Sequence, residues 1–107
     1  MKVLFDQNAP QPLARFLTSH EVTRLAEVGW QELANGELIA AAEAAGYEVL
    51  VTADKNLRYQ QNLADRGIAI VVLPSGRWPA IQQMLAEVIQ AIDAATFGTY
   101  TEVGGVV

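Results

Sequence analysis

Apolar residues fall into short dense runs along this chain, each closed by polar residues, glycine or proline. Val3, Leu4 and Phe5 are followed at once by Asp6, Gln7 and Asn8. Val49, Leu50 and Val51 lead through Thr52 and Ala53 to Asp54, Lys55 and Asn56. The stretch from Ile68 to Leu73 is wholly apolar and mostly β-branched. Such runs, without polar alternation, predict short strands covered on both faces, as in a parallel sheet. A weaker run from Glu21 to Leu25 predicts the second strand in chain order, with Val22 as its surest core residue.

The intervening segments carry helical spacing. Pro10 and Pro12 suit a first helical turn, where a missing N–H costs little, and Leu13, Phe16 and Leu17 supply its apolar stripe. Thr18, Ser19 and His20 read as a turn. Gly29 and Trp30 mark a break, with Trp30 as a packing anchor. Asn35 is the expected N-cap of a helix whose apolar face is Leu38, Ile39, Ala42 and Ala45 and which Gly46 ends. A polar-faced helix is expected from Lys55 to Arg66, closed by Gly67. Pro79 opens one last helix, in which Ile81, Met84, Leu85, Val88, Ile92 and Ala95 recur at helical spacing. Thr99 to Val103 alternates weakly, as an extra C-terminal edge strand would, pairing with the sheet or with a partner chain.

Strands alternating with helices imply an α/β domain with a mostly parallel sheet. Four short strands fit best in the order 2-1-3-4. Residues 1–98 form the expected domain and 99–107 its tail.

Composition narrows the chemistry. A chain of 107 residues is enough for one modest core. The absence of cysteine excludes disulfides, thiolate chemistry and Cys-based zinc sites. His20 is the single histidine, so no multi-histidine metal site forms within one chain, and a loop or hydrogen-bonding role is expected for it. No apolar run approaches the roughly 20 residues of a spanning helix, and no signal-peptide pattern opens the chain. A cytoplasmic protein without a membrane partner is the expectation. The net charge of −5 argues against generic nucleic-acid binding. Yet Lys55, Arg58, Arg66 and Arg77 stand close together against a single acid, Asp65. That window reads equally as a solvated helix face or as a phosphate-binding patch.

Order 2-1-3-4 places the reversal of strand order between the first and third strands, and ligands of open α/β sheets bind beyond the strand ends there. Asp6 and Asp54 close those two strands. Two neighbouring carboxylates raise each other's proton affinity unless a cation lies between them. Mg²⁺ or Mn²⁺, hard ions that take oxygen ligands, are the natural occupants. Glu37 is a third candidate ligand, one turn into its helix. Asn8, Asn35 and Asn56 offer amide oxygens or hold metal-bound waters, and the Thr52 hydroxyl is placed to fix a carboxylate rotamer. Plainer uses stand beside these: Asp54 and Asn35 as helix caps, and Glu37 as a solvated first-turn acid. Asp6 has no such alternative.

The segments Lys2-Val3-Leu4-Phe5-Asp6-Gln7-Asn8-Ala9-Pro10, Asn35-Gly36-Glu37-Leu38-Ile39 and Val51-Thr52-Ala53-Asp54-Lys55-Asn56-Leu57-Arg58-Tyr59-Gln60-Gln61-Asn62 together resemble a small bacterial PIN-like family. That family, formerly a domain of unknown function, is related to the VapC-type toxin ribonucleases. The resemblance implies a three-layer PIN fold and a metal-dependent endoribonuclease acting on single-stranded RNA. Asp6 and Asp54 match its two strand-end acids and Glu37 its helix acid, with Lys55 and Arg58 placed to hold RNA phosphates. No residue fills a fourth acidic position, and Asn35 and Asn56 stand where acids are common. An amide in place of a carboxylate removes charge, which implies weaker metal affinity. The alternative is therefore a PIN-like scaffold with little or no turnover, binding a cognate antitoxin protein or a second copy of itself as a homodimer. A third class, transfer through an aspartyl phosphate, lacks its usual second acid, because Asn8 stands there.

Overall fold

The computed structural model describes residues 1–54 and 66–104. Its strands are β1 (Lys2–Phe5), β2 (Glu21–Arg24), β3 (Val49–Thr52), β4 (Ala69–Val72) and β5 (Tyr100–Glu102). They pair in the order β2-β1-β3-β4-β5, and every neighbouring pair is parallel. The expected order 2-1-3-4 is present, extended by the C-terminal edge strand. That strand pairs with β4 of its own chain and leads to Val103, which is buried in the core.

The absence of polar alternation in the strands has a direct cause. Successive side chains point to opposite faces, and here both faces are covered. Val3, Phe5, Val49, Val51, Ala69 and Val71 share one core with Leu13, Leu17, Ile81, Val88 and Ile92. Leu4, Leu50, Ile70 and Val72 share the other with Leu25, Leu38, Ile39 and Ala42. The sheet is thus the middle of three layers. On the first face lie a 3₁₀ helix (Gln11–Phe16), α3 (Trp78–Gln82) and α4 (Leu85–Asp93). On the second lie α1 (Leu25–Val28) and α2 (Asn35–Ala44).

Several local details differ from the sequence pattern. The segment after Pro10 is a 3₁₀ rather than an α-helix, and Phe16 is 46% exposed, its ring stacked on Trp78 with centroids 5.7 Å apart. The expected single C-terminal helix is two, broken at Gln83–Met84 with neither glycine nor proline at the break. Asn35 is not the cap of α2 but its first residue; Ala34 occupies the cap. Alanine offers no side-chain acceptor, so the Glu37 carboxylate does the capping by accepting the Ala34 N–H at 3.2 Å. At the other end Gly46 adopts φ 87°, where the Gly46 N–H reaches Glu43 O and the Tyr47 N–H reaches Ala42 O. Those two bonds are a Schellman closure, which only glycine enters without strain. Trp30 packs edge-on against Tyr47, as an anchor should. The helix expected over Lys55–Arg66 falls almost entirely on residues outside those described.

Two polar contacts tie the frame together. His20 accepts from the Met1 ammonium at Nδ1 and donates through Nε2 to Asp93, which joins the start of β1 to the end of α4. Glu43, near the end of α2, accepts the Gly67 N–H and an Arg66 N–H, fixing the chain as it enters β4. The Gly67 bond is the larger cause, and together with Arg66 it holds the Glu43 carboxyl below its ordinary value. This pair lies at the opposite end of the sheet from the candidate site.

Candidate functional site at the carboxyl edge of the sheet

Parallel register decides what meets at the sheet edge. Phe5 is level with Val51 on one side and with Arg24 on the other. The ladder then runs one residue further, because the Asp6 N–H donates to Val51 O at 2.9 Å. Asp6 therefore emerges beside the end of β3. Its Oδ1 accepts the Gln7 N–H and its Oδ2 accepts the Thr52 hydroxyl, both at 2.8 Å. Thr52 is fully buried, so its hydroxyl has to be satisfied by protein.

That hydroxyl is a relay. It donates to Asp6 and accepts the Asp54 N–H at 3.0 Å, so one atom links the ends of β1 and β3. Its single proton serves Asp6, because Asn8 Oδ1 lies farther off at 3.3 Å and takes the Ala53 N–H at 2.8 Å instead. An N–H partner requires the amide oxygen, which settles the orientation of Asn8. The Nδ2 group is then the donor end of the amide. Asn8 was expected to contribute an amide oxygen or hold metal-bound waters; its oxygen accepts the Ala53 N–H, which uses one of its two lone pairs.

Beside Asp6 lies a cleft of about 660 Å³ over the ends of β1 and β2. Asp6, Asn8, Gln11, Arg24, Gln31 and Gly76 are among its walls. Gly76 is needed for close approach: a Cβ there would stand 2.8 Å from the Asn8 carbonyl oxygen. The loop after β4 is thereby pressed onto the loop after β1. Neither Arg24 nor Gly76 was singled out from sequence. Arg24 ends its strand level with Phe5, one residue short of Asp6, and strand pairing is the signal that could have found it.

The matched family has the description PIN-like domain, and the match spans residues 1–75. This chain belongs to the PIN-like domain family. No curated protein and no solved structure matches it. The family span covers Asp6, Asn8, Glu37, Thr52 and Asp54 and ends one residue before Gly76.

In this PIN-like domain the predicted residues are not all gathered in one place. Asp6, Asn8, Thr52 and the backbone of Asp54 form one bonded network. Glu37 caps α2, and among the described residues no three His, Cys, Asp or Glu side chains stand close enough to share a metal ion. Asn35 begins α2. Lys55, Asn56 and Arg58 lie outside the described residues. No helix among those described is long and apolar enough to cross a membrane.

Proposed function

We propose that this PIN-like domain is a metal-dependent endoribonuclease that hydrolyses phosphodiester bonds of single-stranded RNA. The observation that carries the reading is Asp6, a carboxylate with no capping duty, oriented by Thr52 and Gln7 at the lip of a cleft and joined through one hydroxyl to the end of β3. A carboxylate has about four lone-pair sites, so the two bonds to Asp6 leave it capacity for a ligand. Mg²⁺ typically takes one or two carboxylates and keeps several waters, which suits Asp6 and Asp54 better than a site needing a full protein cage. When bound, such an ion supplies Lewis-acid polarisation of a phosphate and a more acidic water. The protein's own contribution is positional: Thr52 and Gln7 hold the Asp6 carboxylate, and Glu37 is the further acid that this reading adds from the sequence resemblance.

The test is Mn²⁺-dependent cleavage of a labelled single-stranded RNA by the parent, Asp6→Asn and Asp54→Asn. Each substitution is expected to reduce the rate by at least about 100-fold, the scale on which an electrostatic stabiliser acts. Undiminished cleavage by both variants sinks the reading.

A second reading has its own support. Glu37 engaged as a cap, and no three-acid group among the described residues, favour a weakly active or inactive scaffold that binds a cognate antitoxin protein or a second copy of the chain. Calorimetric titration with Mn²⁺ separates the two. Heat that disappears in Asp6→Asn supports the nuclease; no heat at millimolar metal supports the scaffold.

A further inference from the structure

We infer that Arg24 is the phosphate-gripping residue of this site, and that the RNA strand lies over the ends of β1 and β2, along the cleft that Asp6 and Arg24 share. This rests on the nuclease reading only in taking a single-stranded RNA backbone as the ligand. The sequence pattern pointed instead to Lys55 and Arg58, which follow β3 in the chain and lie outside the described residues.

The argument begins with charge. Of the described residues that wall the cleft, Asp6 and Arg24 alone are ionised; the remaining polar groups among them are amides, Asn8 and glutamines including Gln11 and Gln31. In a chain of net charge −5, one guanidinium beside the candidate catalytic acid is a specific feature. Register explains why it is there. Arg24 closes β2 level with Phe5, and adjacent strands lie about 4.8 Å apart, so Arg24 and Asp6 stand on neighbouring strand ends. An Arg fork offers five N–H donors in a plane that matches phosphate oxygens.

The guanidinium is also available. Its Nε lies 3.7 Å from Glu27, and both side chains are about half exposed, 46% and 53%. Surface pairs of this kind are worth little. Glu27 has a separate task as well, because its carboxylate accepts the Arg24 N–H at 2.7 Å and stays in place when the guanidinium turns away. Asn8 adds a second donor group. With its oxygen bound to the Ala53 N–H, the other end of its amide is a donor on a residue that lines the cleft, and that polarity suits an anionic oxygen. Gly76 holds the Asn8 loop in position.

The experiment measures binding without turnover. A fluorescein-labelled oligouridine is titrated with Asp6→Asn protein in Mg²⁺, and anisotropy is read over a series of salt concentrations. Adding Arg24→Gln is expected to weaken binding about tenfold, as loss of a charged hydrogen bond does. It should also flatten the slope of log K against log salt by about 0.7, the value for one phosphate neutralised on a single strand. Arg24→Lys should restore the slope and only part of the affinity. Arg15→Gln, an exposed basic residue on the 3₁₀ helix outside this cleft, should change neither quantity. Equal affinity and slope for Arg24→Gln, in protein with an unchanged melting temperature, overturns the assignment. So does an Arg15→Gln effect of the same size, which would mean diffuse attraction rather than a site. Failure of the nuclease reading is distinguishable, because it abolishes metal-dependent cleavage while leaving an Arg24-dependent affinity intact.

Discussion

Replacing Thr52 by valine removes a single hydroxyl from a fully buried position and keeps the side chain's shape. Two bonds go with it: the one given to Asp6 Oδ2 at 2.8 Å and the one received from the Asp54 N–H at 3.0 Å. A hydrogen bond to a charged group is worth about 1.5–3 kcal/mol and a neutral one about 1 kcal/mol. Asp6 and Asp54 are only half-buried, so water recovers part of each loss. The added methyl surface returns up to about 0.8 kcal/mol. A net loss of about 2 kcal/mol follows. Total stability for a domain of this size is about 5–15 kcal/mol, so the change is easily read from urea denaturation at neutral pH, with an unchanged m-value. Thr52→Ser supplies the comparison, since it keeps the relay and loses one methyl, at about 1 kcal/mol. A double-mutant cycle with Asp6→Ala should show a coupling of about 1–2 kcal/mol between the two side chains. Freed from Thr52, the Asp6 carboxylate samples other rotamers, and Mn²⁺ affinity should fall in Thr52→Val but not in Thr52→Ser. A Thr52→Val protein within about 0.5 kcal/mol of the parent, or one more stable than Thr52→Ser, would refute the relay.

Gly76→Ala should destabilise by about 1–3 kcal/mol, the range for forcing extra volume into a packed site, because the new Cβ meets the Asn8 carbonyl 2.8 Å away; a melting curve identical to the parent's would show that the two loops are free to separate. Glu37→Gln keeps an oxygen for the Ala34 N–H and loses only charge, so stability should hold within about 0.5 kcal/mol while, if Glu37 serves the metal, Mn²⁺ affinity drops; calorimetry and denaturation read the two effects separately. Glu43 has a folded pKa held below its ordinary 4.5, so the unfolded chain binds more protons in acid. The stability it contributes is present above the ordinary value and is lost as pH falls through the lowered one. Glu43→Gln should therefore flatten the fall in urea midpoint below about pH 4.5, and an unaltered pH profile would count against the Gly67 and Arg66 bonds.

The strands and their arrangement were legible because they rest on local pattern and general topology. Val49-Leu50-Val51 and Ile70-Val71-Val72 have no polar alternation, and a sheet covered on both faces is the fold that uses such runs. Gly46 closing α2 is equally local, since a left-handed residue at a helix end asks for glycine. Asp6 stood out because an acid directly after a buried strand meets no local need. The break at Gln83–Met84 and the 3₁₀ turn after Pro10 were not legible, for the residues there tolerate either geometry.

By itself, then, the sequence determined which segments are strands, that both their faces are covered, and that two aspartates follow β1 and β3. Only the tertiary structure decided what those aspartates meet. Thr52 and Asp6 are 46 residues apart, Asn8 and Ala53 are 45 apart, and Arg24 enters the cleft through its pairing with Phe5. Each depends on strand register, a long-range choice fixed by packing of the two cores.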